Sequence, residues 1–259
     1  MILLSNDDGV DSEGLHSLKK ALSKTNDVWV VAPDSERTCV AHAITLHTPL
    51  RINDLGDHVF STNGTPADSV LLALKVVLPR KPDLVISGIN KGPNMGQDVS
   101  YSGTVAAAKE GAFAGAVSMA VSLNGRSNFL FSDASRAVVD LVGAVRSRGL
   151  PSATFLNVNI PNITYDKQRG FMVTSLGTRI YNGNIIERKD PRGGPYYWIA
   201  GDSDGFEAIA GTDLCAVDLG YLSVTPLHWD LTSYASLDEL RMILAEGSTR
   251  QVVAEGGPV

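Results

Sequence analysis

The chain has 259 residues, of which 44% are hydrophobic and 19% are charged, and its net charge is −6. This balance is typical of a globular protein and excludes a chain that is disordered throughout. No run of Lys and Arg occurs, so sequence-independent nucleic-acid binding, which depends on clustered basic residues, is excluded as a main function. Two widely separated cysteines, Cys39 and Cys215, make neither a disulfide framework nor a zinc site.

The N-terminal residues contain neither the basic segment nor the long hydrophobic stretch of a signal peptide. No stretch of the sequence reaches the length of a membrane span. We therefore expect a soluble, cytoplasmic protein without a membrane partner, in which both cysteines stay reduced.

Short apolar runs alternate with helical patterns over the first 160 residues. In chain order they predict a strand at 2–5, a helix at 14–23, a strand at 28–32, a helix at 67–78, a strand at 83–87, a helix at 105–114, a strand at 117–121, a helix at 134–145 and a strand at 155–159. Strands joined by helices imply right-handed crossovers. The sequence therefore predicts an α/β fold, with a Rossmann-like, mostly parallel sheet covered by helices on both faces.

Two segments depart from this alternation. Residues 41–61 have apolar residues at strand spacing, which predicts a hairpin beside the sheet. Gly, Asn, Tyr and Pro become frequent after residue 160, which predicts a β-rich extension with a late core strand at 220–226 and a C-terminal helix at 237–245. We therefore divide the chain into a core at 1–160, which holds the functional site, and an extension at 161–259.

Side chains with oxygen atoms follow the predicted strands at the edge where parallel sheets bind ligands. Asp7 and Asp8 follow the first strand, and Gly9 can turn the chain so that both carboxylates converge. Two close carboxylates repel each other unless a cation compensates, and Mg²⁺ or Mn²⁺ prefers carboxylate, amide and hydroxyl oxygens. Asn90, in a Gly-rich loop after the strand at 83–87, supplies an amide oxygen. A solvated turn before a helix is the alternative for the acidic pair alone.

A second signal is a helix start that suits an anion. Ser102, Gly103 and Thr104 open an Ala-rich helix, where free N–H groups and the helix dipole favour a phosphate. An ordinary helix cap explains the same residues when they are considered alone. Lys91 and Asn94 are further candidates to contact phosphate, with a surface lysine and a turn asparagine as the alternatives.

Motifs of several other phosphate and hydrolase classes are absent. The sequence has no GxxxxGK[ST] loop, no GxGxxG fingerprint and no GxSxG elbow. A DxD pair is also absent after the first strand, so a covalent aspartyl-phosphate route is not favoured. Two further candidates for a catalytic role are Asn6, beside the acidic pair, and His42 as a proton donor, although a lone histidine is more often structural.

Several blocks of the sequence, from residue 1 to about residue 232, resemble the survival protein E (SurE) family in order and spacing. These blocks lie at residues 5–9, 31–34, 64–68, 87–96, 102–105, 190–198, 211–213 and 220–226. The resemblance implies a metal-dependent phosphatase that hydrolyses nucleoside 5′-monophosphates, 3′-monophosphates and, in some members, short polyphosphate. It also implies a homodimer or homotetramer whose subunits exchange C-terminal elements.

The resemblance further implies one divalent cation per subunit, Mg²⁺ or Mn²⁺, with Ca²⁺ as a substitute in crystals. The family's metal ligands correspond to Asp7, Asp8, Asn90 and, as the hydroxyl ligand, Thr38. The family usually has serine and a small residue where this chain has Thr38 and Cys39. Threonine keeps the hydroxyl, so we expect the metal site to persist, and we expect Cys39 to be a buried small side chain.

The function expected from this site is hydrolysis of a phosphate monoester by water that the cation activates, with Asp8 orienting the water. The alternative is a nucleotide-binding regulator that does not turn over its ligand. The paired carboxylates favour the enzyme, because a protein that only binds phosphate gains nothing from two negative charges beside it. The Tyr- and Gly-rich segment at 181–201 is a candidate interface between subunits.

Overall fold

The computed structural model describes residues 1–146, 148–151, 153–181, 184–200 and 203–247. The strands are β1 (Ile2–Ser5), β2 (Val28–Pro33), β3 (Ile52–Asp54), β4 (Val59–Thr62), β5 (Leu84–Lys91), β6 (Val117–Asn124), β7 (Thr154–Pro161), β8 (Phe171–Val173), β9 (Arg179–Tyr181), β10 (Asn184–Lys189), β11 (Pro195–Ala200), β12 (Ser203–Phe206) and β13 (Leu222–His228). The helices are α1 (Glu13–Leu22), α2 (Pro66–Leu72), α3 (Gly103–Phe113), α4 (Phe131–Arg146), α5 (Asp213–Asp218) and α6 (Leu237–Gly247). A π-helical turn continues α2 over Ala73–Val77, and a 3₁₀ helix spans Gly96–Tyr101.

Nine strands form the central sheet in the order β3-β4-β2-β1-β5-β6-β7-β13-β8. All neighbouring strands from β4 to β7 are parallel, whereas β3 and β13 run antiparallel to β4 and β7. The predicted mostly parallel α/β fold is therefore confirmed.

The sheet is buried on both faces, which explains its continuous apolar strands. In β1, Ile2 and Leu4 pack in one cluster with residues of α1 and α4. Leu3 points to the opposite face, where it packs in a second cluster with residues of α2 and α3. Because β2, β1 and β5 are parallel neighbours in the sheet, their carboxyl ends meet at one edge.

The prediction for residues 41–61 is only partly correct. β3 and β4 pair as antiparallel strands, but residues 41–51 form no strand. Ile44 and Leu46, whose spacing suggested a strand, are 49% and 79% exposed. The backbone N–H of Thr45 donates to the Asp68 carboxylate over 3.1 Å, so a side chain provides the partner that a neighbouring strand would otherwise provide.

The region after β7 is rich in strands, as expected. β10 pairs with β11 and β9 pairs with β12, both antiparallel, and β13 returns to the central sheet. Residues Met1–Trp229 form one compact unit, and the residues from Asp230 onward form a second. The division of the chain at residue 160 into core and extension stays a prediction. No helix in the described part of the chain has the length and apolar character that a membrane crossing requires.

Candidate metal and phosphate site

The acidic pair lies at a tight turn after β1. Gly9 has a φ of +96°, in the left-handed region that glycine adopts without strain, so the chain turns directly after Asp8. The amide nitrogen of Asn6 donates to the Gly9 carbonyl oxygen (2.9 Å) and to the Ser12 hydroxyl (2.6 Å), which holds the turn. The backbone N–H of Arg37 donates to the Asp7 carbonyl oxygen over 2.7 Å and brings the loop after β2 beside the pair.

A cavity of about 830 Å³ opens at this edge of the sheet. The predicted site residues that line it are Asp7, Asp8, Thr38, Asn90, Lys91, Asn94 and Ser102. The other lining residues are Glu36, Cys39, Gly92, Pro93, Asp98, Tyr101, Tyr181 and Ile199, and the sequence analysis gave none of them a ligand-contacting role. All four predicted metal ligands therefore line the same cavity.

Asp7 is a buried carboxylate, with 6% of its surface exposed. The Thr104 hydroxyl donates to its Oδ1 over 2.5 Å. Burial raises the pKa of the Asp7 carboxyl to about 6, and the charge of Asp8 adds to the rise, while hydrogen bonds from Thr104 oppose it. The ionised pair is therefore costly on its own and is a suitable partner for a cation.

Glycine at position 103 is required by the close approach of α3 to Asp7. A Cβ atom at Gly103 would lie 3.0 Å from the Asp7 Cβ and 3.1 Å from its Oδ2. These separations are shorter than ordinary van der Waals contacts. The start of α3 thus fixes the position of the Asp7 carboxylate from behind.

Asp8 and Asn90 are held on the cavity wall by backbone contacts. The Lys91 backbone N–H donates to the Asp8 Oδ2 over 3.1 Å. Burial raises the pKa of Asp8, while the Lys91 N–H and ammonium lower it. The Asn90 amide nitrogen donates to the Gly92 carbonyl oxygen over 2.9 Å, which leaves the Asn90 amide oxygen to act as a ligand.

The loop after β2 supplies the hydroxyl of Thr38. This hydroxyl donates to the Glu36 Oε1 over 2.5 Å, so its lone pairs remain available to a cation. Cys39 is exposed and has a φ of 57°, so the expectation of a buried side chain was wrong. The left-handed backbone at Cys39 and Ala41 turns this loop along the cavity wall and away from the core.

The predicted phosphate contacts divide into two groups. Ser102 caps α3 by accepting the Val105 N–H over 3.1 Å, and it lines the cavity. Gly103 and Thr104 lie behind Asp7 and do not line the cavity. The Thr104 hydroxyl, which we expected to contact phosphate, is committed to Asp7.

Asn94 lies on the cavity wall at the centre of a buried amide network. Its backbone N–H donates to the Asn159 Oδ1, and its carbonyl oxygen accepts the amides of Asn157 and Asn159 at 2.8 and 2.9 Å. Its own amide nitrogen donates to the Ser122 hydroxyl over 2.8 Å. β6 and β7 thereby fix the loop that follows β5.

The structure does not bring Asn6 and His42 to the cavity wall. Asn6 is fully buried, and its contacts to Gly9 and Ser12 give it a role in holding the turn. The His42 Nε2 lies 2.9 Å from the Glu110 Oε2, and its ring stacks on Phe113. In this chain, the histidine is engaged by α3 and does not point toward the acidic pair.

A divalent cation fits the chemistry of this wall. Among the described residues, no group of three or more His, Cys, Asp or Glu side chains could hold a metal ion. A cation at Asp7 and Asp8 therefore depends on amide and hydroxyl oxygens, which Asn90 and Thr38 provide. This set of hard oxygen donors suits Mg²⁺ or Mn²⁺ and is unsuited to softer metals.

The fold and the site define an α/β protein with oxygen ligands for a cation beside the N-terminus of a helix. The family model described as survival protein SurE matches residues 2–183. The 5′-nucleotidase SurE of Geotalea daltonii is 47% identical over 241 residues, which are 93% of this chain and 97% of the relative. That of Aquifex aeolicus is 45% identical over 243 residues, with coverage of 93% and 97%.

The solved structures give the same result. The crystal structure of the SurE protein from Aquifex aeolicus has a TM-score of 0.86 and 45% sequence identity, and the match covers 93% of this chain and 98% of that chain. The chain belongs to the SurE family. The resemblance inferred from the sequence blocks is therefore confirmed.

Proposed function

We propose that this chain is a metal-dependent 5′-nucleotidase, an enzyme that hydrolyses nucleoside 5′-monophosphates. The observation that supports this proposal is that Asp7, Asp8, Asn90 and Thr38 line one cavity, with Asp7 in contact with Thr104 at the start of α3. The relatives from Geotalea daltonii and Aquifex aeolicus bear the name of this activity, which favours the enzyme over the non-catalytic regulator.

The residues of this chain divide the chemical work. Asp7, Asp8, Asn90 and Thr38 hold one divalent cation, Mg²⁺ or Mn²⁺. When bound, that cation supplies Lewis-acid stabilisation of the phosphoryl charge and makes water a better nucleophile.

The remaining contacts hold and orient the phosphate. The N-terminal end of α3 at Ser102 and the Lys91 ammonium favour the negative charge that develops during hydrolysis. Asp8, which is more exposed than Asp7, orients the attacking water. Asn94 supports the wall through its buried network. We also propose that 3′-monophosphates and short polyphosphate are accepted, because a helix N-terminus and a lysine ammonium recognise negative charge and not the group that carries it.

Phosphate release tests the proposal directly. The purified protein is incubated with AMP, GMP and an aryl phosphate, each with Mn²⁺, with Mg²⁺ and with EDTA. We expect release that requires the divalent cation and that is lost in EDTA. Absence of cation-dependent release from all three substrates contradicts the proposal.

We further propose that the chain assembles as a homodimer or homotetramer through residues 181–201 and exchanged C-terminal elements. The β10–β11 hairpin exposes Ile185 (68%) and Trp198 (63%), and α6 exposes Met242 (61%) and Ile243 (57%). Large apolar side chains exposed in such number are typical of interfaces. The light-scattering mass should be two or four times the 27.5 kDa of one chain. It should fall to the monomer in an Ile185→Asp, Trp198→Asp variant, and an unchanged mass counts against this interface.

For localisation, we propose the cytoplasm, where both cysteines stay reduced. The two thiols of Cys39 and Cys215 are free in the structure.

A further inference from the structure

The cavity that contains the acidic pair is also lined by two tyrosines. Tyr101, which precedes α3, and Tyr181, in β9, both line the cavity and are 65% and 47% exposed. Asp7 and Asp8 come from the parallel core, whereas Tyr181 comes from the strand-rich region after β7. The cavity is therefore lined both by carboxylates of the core and by an aromatic side chain from the region after β7.

The Tyr181 side chain is fixed by the 3₁₀ helix at 96–101, which precedes α3. Its hydroxyl donates to the Asp98 carboxylate, and the Arg179 Nε lies 2.7 Å from the other Asp98 oxygen. The Arg179 backbone N–H donates to the Gln97 Oε1 over 3.0 Å. Burial, together with the hydrogen bond to Asp98, raises the pKa of Tyr181 to about 12, so the hydroxyl stays a donor at neutral pH.

A buried carboxylate attaches the same two segments to each other. Asp213 is fully buried, and it accepts the Gly96 N–H over 2.9 Å and the Gly177 N–H over 2.8 Å. Gly96 begins the 3₁₀ helix that carries Asp98, and Gly177 shortly precedes β9. Contacts through Asp98 and Asp213 therefore hold β9 against the 3₁₀ helix at 96–101. They position Tyr181 before any ligand arrives.

We propose that Tyr181 is the nucleobase contact of this cavity, and that it recognises the base through its ring. This inference rests on the proposed nucleotidase function. Because the Tyr181 O–H is donated to Asp98, it is not available to donate a hydrogen bond to a base, and the exposed ring is the part left to contact one. Stacking on an aromatic ring tolerates every base, since every base has a π-face. The enzyme therefore distinguishes nucleotides from base-free sugar phosphates but discriminates little between adenine and guanine.

The test compares AMP and GMP with ribose 5-phosphate, which has the same phosphate and sugar but no base. In Tyr181→Ala, KM for AMP and GMP should rise about tenfold, within the range typical of a base stacked on an aromatic ring. KM for ribose 5-phosphate and kcat for all three should change little. Tyr181→Phe keeps the ring and should keep most of the affinity for AMP.

Tyr165→Ala is the matched control. The Tyr165 hydroxyl likewise donates to a carboxylate, that of Asp140, over 2.5 Å, but Tyr165 does not line the cavity. This variant should leave the ratio of the KM values for AMP and ribose 5-phosphate unchanged. A Tyr181→Ala variant that changes both KM values equally, or neither, overturns the inference. A wild-type protein that releases no phosphate from any substrate overturns the proposed function instead.

Discussion

The parallel core up to Pro161 and the strand-rich region from there to Trp229 contribute differently to the same cavity. The core places the side-chain oxygens of Asp7, Asp8 and Asn90, which are buried or half-buried, at the ends of its strands, where backbone contacts hold them. The later region contributes exposed aromatic and apolar side chains on short strands that attach through Asp98 and Asp213. In the proposals made above, the core performs the phosphate chemistry and the later region selects the molecule that carries the phosphate.

Loss of a core carboxylate is the largest effect expected from this division of work. In Asp7→Asn, kcat/KM should fall roughly a thousandfold, because several kcal/mol of charge stabilisation depend on the cation that Asp7 helps to hold. The fall in kcat/KM should be similar for AMP and for ribose 5-phosphate.

Asp34→Asn is the matched control for this variant, since Asp34 is an exposed carboxylate after β2 that does not line the cavity. Steady-state kinetics with both substrates provides the measurement. A similar loss of kcat/KM in Asp34→Asn, or a loss in Asp7→Asn that is confined to AMP, would contradict a direct role of the Asp7 carboxylate in phosphate hydrolysis.

The hydroxyl of Thr104 gives the next largest effect. Thr104→Val keeps the shape of the side chain but removes its hydrogen bond to Asp7, so the affinity for Mn²⁺ should weaken about 10- to 100-fold. Thr104→Ser keeps the hydroxyl and should retain most of the affinity. Isothermal titration with Mn²⁺ measures both variants, and equal affinities would show that Asp7 needs no help from α3.

A Gly-to-Ala change should weaken metal binding in α3 but stabilise the fold in α4. Gly103→Ala places a methyl group 3.0 Å from the Asp7 Cβ, which should displace the carboxylate. Mn²⁺ affinity should then fall severalfold, which is roughly the smallest effect expected when the support of a metal ligand is disturbed. Gly143 lies in α4, and a Cβ atom added there would have no neighbouring atom within 4 Å, so Gly143→Ala should raise the unfolding free energy by about 0.5–1 kcal/mol.

Urea unfolding and Mn²⁺ titration on both glycine variants make this comparison. Unchanged Mn²⁺ affinity in Gly103→Ala would show that the site tolerates a displaced α3. A destabilised Gly143→Ala would contradict the open position of Gly143 on the helix surface.

The smallest effect concerns core stability away from the cavity. The hydrogen bond from Arg80 and the ammonium of Met1 lower the pKa of Asp83 to about 2, from an ordinary value of 3.8. Because the folded value is below the unfolded one, ionised Asp83 stabilises the fold at pH above about 4, and this contribution is lost as the pH falls toward 2.

Asp83→Asn should therefore lower the unfolding free energy by less than about 1 kcal/mol at pH 6, as for other exposed ion pairs. The difference from the wild type should shrink at pH 3, and urea denaturation at the two pH values measures it. A difference that grows at pH 3 would contradict the assigned direction. Mn²⁺ affinity at pH 6 should be unchanged.

Local pattern was sufficient to predict most of the core. The strands of the parallel sheet are apolar on both faces, and their order with the helices restricts the topology. The rule that ligands bind at the carboxyl ends of such strands was sufficient to predict that Asp7, Asp8 and Asn90 line the same cavity. Both steps depend on information within one strand or helix.

The contacts that sequence reasoning missed connect residues far apart in the chain. Thr104 lies 97 residues from Asp7, and Tyr181 lies 83 residues from Asp98, so no local spacing indicates either pair. The hydroxyl of Thr104 was interpreted as a phosphate contact because its helix start was considered without Asp7. For Tyr181, the only signal in the sequence was a Tyr- and Gly-rich composition, which indicates exposed contacts without naming a partner.

The central claim is that one cation joins the side chains of Asp7, Asp8 and Asn90 at the edge of the sheet. A crystal structure of the protein soaked in Mn²⁺, with anomalous diffraction to locate the metal, tests it most directly. We predict one anomalous peak per chain, within coordination distance of oxygens from all three side chains and facing the start of α3. A metal bound elsewhere, or one that contacts only one of the three at saturating Mn²⁺, would contradict the claim.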